Sequence, residues 1–357
     1  MLLLGLLSGC SEGLLEQSGE GVLPSEPSQF ILRISQVSGI ATTKSIYTDI
    51  DAADGAHHLQ RIGVIVRQAD GAYYGGNDFP LQLFYYNSSG VWEPQGDMLV
   101  LDNHQGTVYA CSVREHGGAN DIFGAKIKSG RPVLEAPILK EQTFTYPADS
   151  DLPFCLVDQE DYLYDNNHPT VDRENSEATL NMCHFLSRLS FRVMTADGQP
   201  APNANCYVKR VELAVTGGGD GFIAGDSGNN YTLYLDDGTI ADGTHSVTIG
   251  FTPDGNYRQS DAYVENGTGL LPKAFGLAAP VRGLTATVSI TLGAADSGRF
   301  DRTYTSAATT FTWDKGNHYI YLVTLTDVGL EISKPEVASW NEVTLDSRPL
   351  QPDGVIP

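Results

Sequence analysis

The sequence predicts an all-β protein made of sandwiches, and three observations carry that expectation. Apolar and polar residues alternate along many short segments, Gly, Asn and Asp punctuate them at turn positions, and Ala-, Lys- and Glu-rich helical runs are nearly absent. Only 18% of the 357 residues are charged, while 38 Gly and 17 Tyr fit strands and turns, and 41% hydrophobic residues suffice for a sizeable core. The length fits two domains of about 150 residues each.

The elements follow in order. Residues 1–10 form a short apolar run ending in Leu7-Ser8-Gly9-Cys10. The run is too short to span a bilayer, which takes ~20 apolar residues. Its end matches the bacterial lipobox, in which the Cys10 sulfur is acylated and becomes the new N-terminus. No Lys or Arg precedes Cys10, although a signal peptide opens with one, so the true start is expected upstream. Residues 11–28 are rich in Ser, Glu, Gly and Pro and read as a flexible tether. Residues 29–175 are assigned to a first sandwich. Its strands are expected where Phe30, Leu32 and Ile34 alternate, at Ile62–Val66, Leu81–Tyr86, Met98–Leu101 and Val108–Val113. The acidic, Asn-bearing stretch Asp158–Glu177 marks the divide. Residues 176–357 are assigned to a second sandwich with a short tail, the clearest strand being Leu284, Ala286, Val288, Ile290 and Leu292 interleaved with Thr and Ser. One helical turn is expected at His184–Leu189.

Charge and motifs exclude several classes of function. With 44 acidic against 22 basic residues and a net charge of -22, the chain would repel nucleic acid, whose binding rests on Lys and Arg neutralising phosphates. The acidity fits solubility outside the cell, with a Ca²⁺-loaded surface as the alternative. Cys111, Cys155, Cys183 and Cys206 form no CxxC or Cys/His zinc pattern, leaving disulfides or buried free thiols. The favoured reading is buried thiols. Adjacent His57 and His58 point apart on a strand, which makes a poor chelate. Asp49, Asp51 and Asp54 resemble a Ca²⁺ loop, but the third acid is displaced and no Glu closes it. Gly217–Gly221 lacks the Lys-Ser/Thr of a phosphate loop and reads as a hairpin. Asp158, Glu160 and Asp161 read as solvent-facing acids rather than a glycosidase pair. Tyr73, Tyr74, Tyr85 and Tyr86 read as strand packing rather than a glycan platform. No nucleophile elbow or His-Glu-x-x-His is present. The chain is therefore expected not to be an enzyme, and to use neither cofactor nor metal.

Several segments of the first half stand out together: Thr43-Lys44, Ile62-Gly63-Val64-Ile65-Val66, Val91-Trp92 and Val108-Tyr109-Ala110-Cys111. In the second half they are His184-Phe185-Leu186-Ser187-Arg188-Leu189-Ser190-Phe191, then Trp313 with Lys315–Tyr321, Leu330 and Ser339-Trp340-Asn341. In this order they resemble the fimbrillin-like family, the type V pilins and related surface lipoproteins of Bacteroidales. The resemblance covers about residues 28–345. It implies two tandem transthyretin-like Greek-key β-sandwich domains, export as a lipoprotein held in outer-membrane lipid by Cys10, and display at the cell surface in fimbriae. It also implies that a trypsin-like protease cuts after a basic residue and removes the first strand, whose place a neighbouring pilus subunit's strand then fills. On that resemblance the removable strand is Phe30–Ser35, with Phe30, Leu32 and Ile34 facing inward. The cut falls at Lys44, with Arg61 and Arg33 behind it, and Lys44 as an ordinary solvated lysine remains equally open. Val343 and Leu345 are the anchors a C-terminal strand would offer. Pro349, Pro352 and Pro357 lack the N–H that a donor strand needs. Two anchors and three prolines favour a tip or accessory subunit or adhesin over a stalk subunit. The alternative is a non-polymerising surface lipoprotein that binds a glycan or a host protein.

Overall fold

The computed structural model describes residues 30–39, 59–76, 80–113, 124–146, 156–196, 206–226, 228, 230–241, 243–255, 262–266, 272–294, 301–326 and 329–340. Cys10, Lys44, Val343 and Leu345 lie outside the described residues, as do His57, His58 and the Asp49–Asp54 run. The chain first lays down β1 (Arg33–Ser38), β2 (Arg61–Gln68), β3 (Leu81–Tyr86), β4 (Trp92–Gln95) and β5 (Gly106–Ser112). It continues through β6 (Ala125–Lys128), β7 (Arg131–Pro137), β8 (Glu141–Thr145) and β9 (Leu156–Val157). Next come β10 (Leu163–Asp165), β11 (Thr170–Val171), β12 (Glu177–His184), β13 (Ser187–Thr195) and β14 (Cys206–Gly217). Short strands β15 (Phe222–Ile223), β16 (Asn230–Tyr234), β17 (His245–Ser246), β18 (Thr248–Pro253), β19 (Glu265–Asn266) and β20 (Ala274–Ala278) lead to the long β21 (Val281–Ala294). The last are β22 (Arg302–Thr305), β23 (Thr309–Trp313), β24 (Asn317–Thr326), β25 (Gly329–Ile332) and β26 (Glu336–Ser339). The all-β expectation holds. His184–Leu189 forms the end of β12, a bend and the start of β13, not a helical turn.

Sheet membership crosses the divide read near residue 175. The first sheet runs β1-β12-β10-β5-β2-β3-β4, with β11 on β5. Between β5 and β10 the chain leaves it: β7 pairs with β16, and β8 lies parallel to β18. The acidic stretch expected to be a boundary instead supplies β10 and β11. A local period marks a strand but not its partner, so this exchange of strands left no trace in the pattern.

Apolar side chains collect in two cores. One contains Leu32, Ile34, Ile62, Val64, Phe84 and Trp92 among others, on the inner face of the first sheet. The larger lies between the β22-β21-β14-β18-β8-β9 sheet and the β19-β13-β24-β25 sheet, where Phe191, Phe251, Phe311, Trp313 and Tyr321 meet. Trp313 donates its indole N–H to Tyr321 Oη at 2.8 Å, which satisfies a polar atom that burial would otherwise strand. The first sheet joins this core through its other face, with Ile65, Cys111 and Val113. In β21, Leu284 through Leu292 point inward at every second residue and Thr285, Thr287, Ser289 and Thr291 point outward, as the alternation predicts. The glycine-rich run Gly217–Gly221 does not close a hairpin: β14, which ends at Gly217, and β15, which follows the run, pair with different strands.

Cys111, Cys183 and Cys206 are free thiols, and Cys155 lies outside the described residues. Burial pushes the Cys111 thiol up to about 12, so almost no thiolate forms near neutrality. Iodoacetamide at pH 8 is expected to spare Cys111 in the native chain and to modify it after unfolding, as read by peptide mass mapping. Native labelling as fast as that of the unfolded chain would contradict this packing.

Candidate interface around the first strand

The segment from Phe30 to Gly39 is held unequally on its two edges. On one edge β1 runs parallel to β12, with Arg33 opposite Glu177 and Ile34 opposite Ala178, then Gln36 opposite Thr179 and Val37 opposite Leu180. Ser35 is the extra residue at this register shift, and its hydroxyl donates to the Ala178 carbonyl at 3.2 Å. The bulge changes which residues face inward. Leu32 and Ile34 are buried, and the next buried residue is Val37. On the other edge the Leu32 N–H donates to the Leu99 carbonyl at 3.0 Å and the Leu101 N–H to the Phe30 carbonyl at 2.7 Å. Met98–Leu101, expected to be a strand, contributes only the isolated bridge between Val100 and Ile31.

Beside this segment lies a cavity of about 530 Å³, lined by Leu32, Ile34, Trp92, Pro94, Met98 and Glu177 among others. The Trp92 ring packs on Tyr86 at 5.2 Å between centroids. Val91 and Met98, which line the cavity, and Val100 are at least half exposed, a small set of exposed apolar side chains. Phe30 is half-buried, with the Arg173 guanidinium 3.9 Å over its ring. Of the residues expected to anchor the strand, Leu32 and Ile34 therefore lie in the core and Phe30 is half-buried. The sequence reading missed Val37 because the alternation breaks at Ser35.

The candidate processing sites fall in different settings. Arg33 lies within β1, and Arg61 opens β2 opposite Tyr85. Proteases favour exposed loop tips over backbone engaged in a ladder, so neither position suits a first cut.

Titratable groups elsewhere serve packing. Asp161, expected in solvent, is fully buried, and both of its oxygens accept from His184 Nδ1 at 2.9 and 3.0 Å. The His184 ring stacks on Trp340 at 3.9 Å, with 3° between planes. His318 Nε2 lies 2.7 Å from Ser190 Oγ, and burial, seconded by Arg188 and Arg192, holds its pKa well below the usual histidine range. Hydrogen bonds from Tyr74 and His104 lower the Asp102 carboxyl to about 2. Tyr73 and Tyr74 are buried, their hydroxyls donating to the Gly130 carbonyl and to Asp102. Among the described residues, no group of three or more His, Cys, Asp or Glu side chains is placed to hold a metal ion.

Residues 139–340 match the model of the fimbrillin-like family, more than half of the chain. The chain belongs to the fimbrillin-like family. The matched span contains the His184–Phe191 segment and the Trp313–Trp340 region, whereas the first strand and its groove partners up to Leu101 precede it. No curated protein matches this fimbrillin-like chain. A candidate cell adhesion protein from Bacteroides ovatus superposes with a TM-score of 0.51 at 15% identity, over 87% of this chain and 97% of that one. Another from Bacteroides uniformis gives 0.49 at 16% identity over the same shares. A fimbrial protein from Bacteroides vulgatus gives 0.49 at 12% identity, over 87% and 99%. At these identities the likeness concerns the fold, and the Bacteroides ovatus protein shares it.

Proposed function

We propose that this fimbrillin-like chain is a cell-surface fimbrial subunit or adhesin that joins other subunits by strand exchange, as a tip or accessory member rather than a stalk member. One observation carries the reading: Phe30–Gly39 fills a core that later strands build, yet among the described residues β1 forms a ladder with β12 alone, and Leu32 and Ile34 line a cavity. Such a strand can be replaced without dismantling the rest, because an incoming strand supplies both the edge hydrogen bonds and the alternating anchors. Burial of Leu32, Ile34 and Val37 contributes about 1.5–3 kcal/mol each. A donor offering only two anchors forgoes about a third of that. In this reading the acylated Cys10 holds the chain to the outer membrane, and the chain performs no catalysis, its Asp161–His184 pair being sealed in the core.

Limited trypsin digestion of the full chain, mixed with a second fimbrillin-like subunit, is expected to cut near Lys44 and give SDS-resistant species containing this chain. An uncut segment between residues 40 and 58, or a chain cut there that stays monomeric in the mixture, would sink the proposal. Either result would favour a non-polymerising surface lipoprotein that binds a glycan or a host protein.

A further inference from the structure

The geometry around β1 says which strands the groove can take. Leu32, Ile34 and Val37 are the inward side chains, so the apolar positions fall first, third and sixth rather than at every second residue. The Ser35 bulge produces that spacing, and its hydroxyl is tied to the Ala178 carbonyl at 3.2 Å. Three residues on, the Ser38 hydroxyl donates to the Leu180 carbonyl at 3.1 Å. The eighth position, Gly39, has φ +86°, a conformation L side chains rarely adopt. A Cβ there would collide with the Met182 carbonyl oxygen and lie 2.5 Å from Asn181 Oδ1. Backbone on β12 cannot give way as a flexible side chain would, so this end of the groove admits only glycine.

The segment that follows Trp340 breaks this rule. In Asn341–Pro357 a single register sets apolar residues first and third, Val343 and Leu345. That register puts Arg348 where Val37 is buried and Leu350 where only Gly39 fits. Resting on the strand-exchange reading, we infer that the groove selects an extended segment of a different chain. That segment carries apolar side chains at its first, third and sixth positions and glycine at its eighth, and a second copy's Asn341–Pro357 is rejected. The cation is excluded from a buried apolar site by its desolvation, and the leucine by backbone overlap.

The test uses the full chain with a site-specific protease sequence inserted between Lys44 and Ser45, nicked so that β1 is held non-covalently. Labelled peptides are then offered and their uptake followed by fluorescence anisotropy. The Phe30–Gly39 peptide is expected to exchange in. Its Gly39→Ala and Val37→Arg versions should bind at least about tenfold more weakly, and the Asn341–Leu350 peptide should fail to compete. If the alanine version or the Asn341–Leu350 peptide competes as well as the parent, the selection rule is overturned while strand exchange stands. If even the parent peptide does not enter, both are overturned.

Discussion

Ile34→Asp is expected to free the first strand while leaving the larger core folded. Ile34 is 4% exposed, between Leu32 and the bulge, on the face that meets the smaller core. Losing it removes about 1.5–3 kcal/mol of burial, and a carboxylate in its place adds a desolvation cost of several kcal/mol. Protonation relieves part of that cost by raising the carboxyl pKa. A total of roughly 5 kcal/mol rivals the whole stability of an ordinary domain. The chain has a cheaper outcome than global unfolding, since β1 borders a cavity and can leave by parting from β12 and from Leu99–Leu101. Hydrogen exchange is expected to show lost protection at residues 33–38 and at β12, with Trp313 and its neighbours in β21 and β24 still protected. Unchanged protection at β1 would contradict the weak seating on which the proposed function rests.

Asp161→Ala is expected to destabilise the chain by about 3–5 kcal/mol, the cost of removing one partner of a buried hydrogen-bonded pair and leaving the other behind. The carboxylate holds His184 Nδ1 through both oxygens, and His184 in turn stacks on Trp340, whose backbone N–H donates to the Gly316 carbonyl at 3.0 Å. One carboxylate thus steadies the end of β12 and the residue that closes β26. Asp161→Asn keeps an acceptor oxygen and is expected to cost less, about 1–3 kcal/mol. Urea denaturation followed by tryptophan fluorescence measures both, and Trp340 is expected to become more exposed in the alanine variant. If both variants unfold within about 0.5 kcal/mol of the parent, a range typical of surface substitutions, the pair holds nothing together.

How much the sequence disclosed depended on whether the cause was local. Every second residue from Leu284 to Leu292 turns inward because β21 is long, regular and covered on one face, so its alternation could be read directly. Leu32 and Ile34 were legible for the same reason. Val37 was not, because one inserted residue at Ser35 reversed the phase and a strict period-2 reading stopped there. The acidic neighbours of Asp161 point to solvent, but its partner, His184, stands 23 residues away and reaches it through the pairing of β10 with β12. In Met98–Leu101 the alternation is real, Leu99 and Leu101 being buried and Met98 and Val100 exposed, yet only Val100 finds a bridge. Pattern reports which side of a segment is covered, and stays silent on whether the backbone finds a partner.

The order in which strands are joined constrains how this chain closes up. Ser35 and the Ala178 carbonyl it meets are 143 residues apart, and β8 waits for β18. A chain emerging from its N-terminus carries β1 long before β12 has been made, and contacts so distant in sequence form slowly. The first strand is thus synthesised early and seated late. During that interval only Leu99–Leu101 is there to receive its first residues, and once β12 is built the groove lies open to whichever strand of matching pattern arrives first.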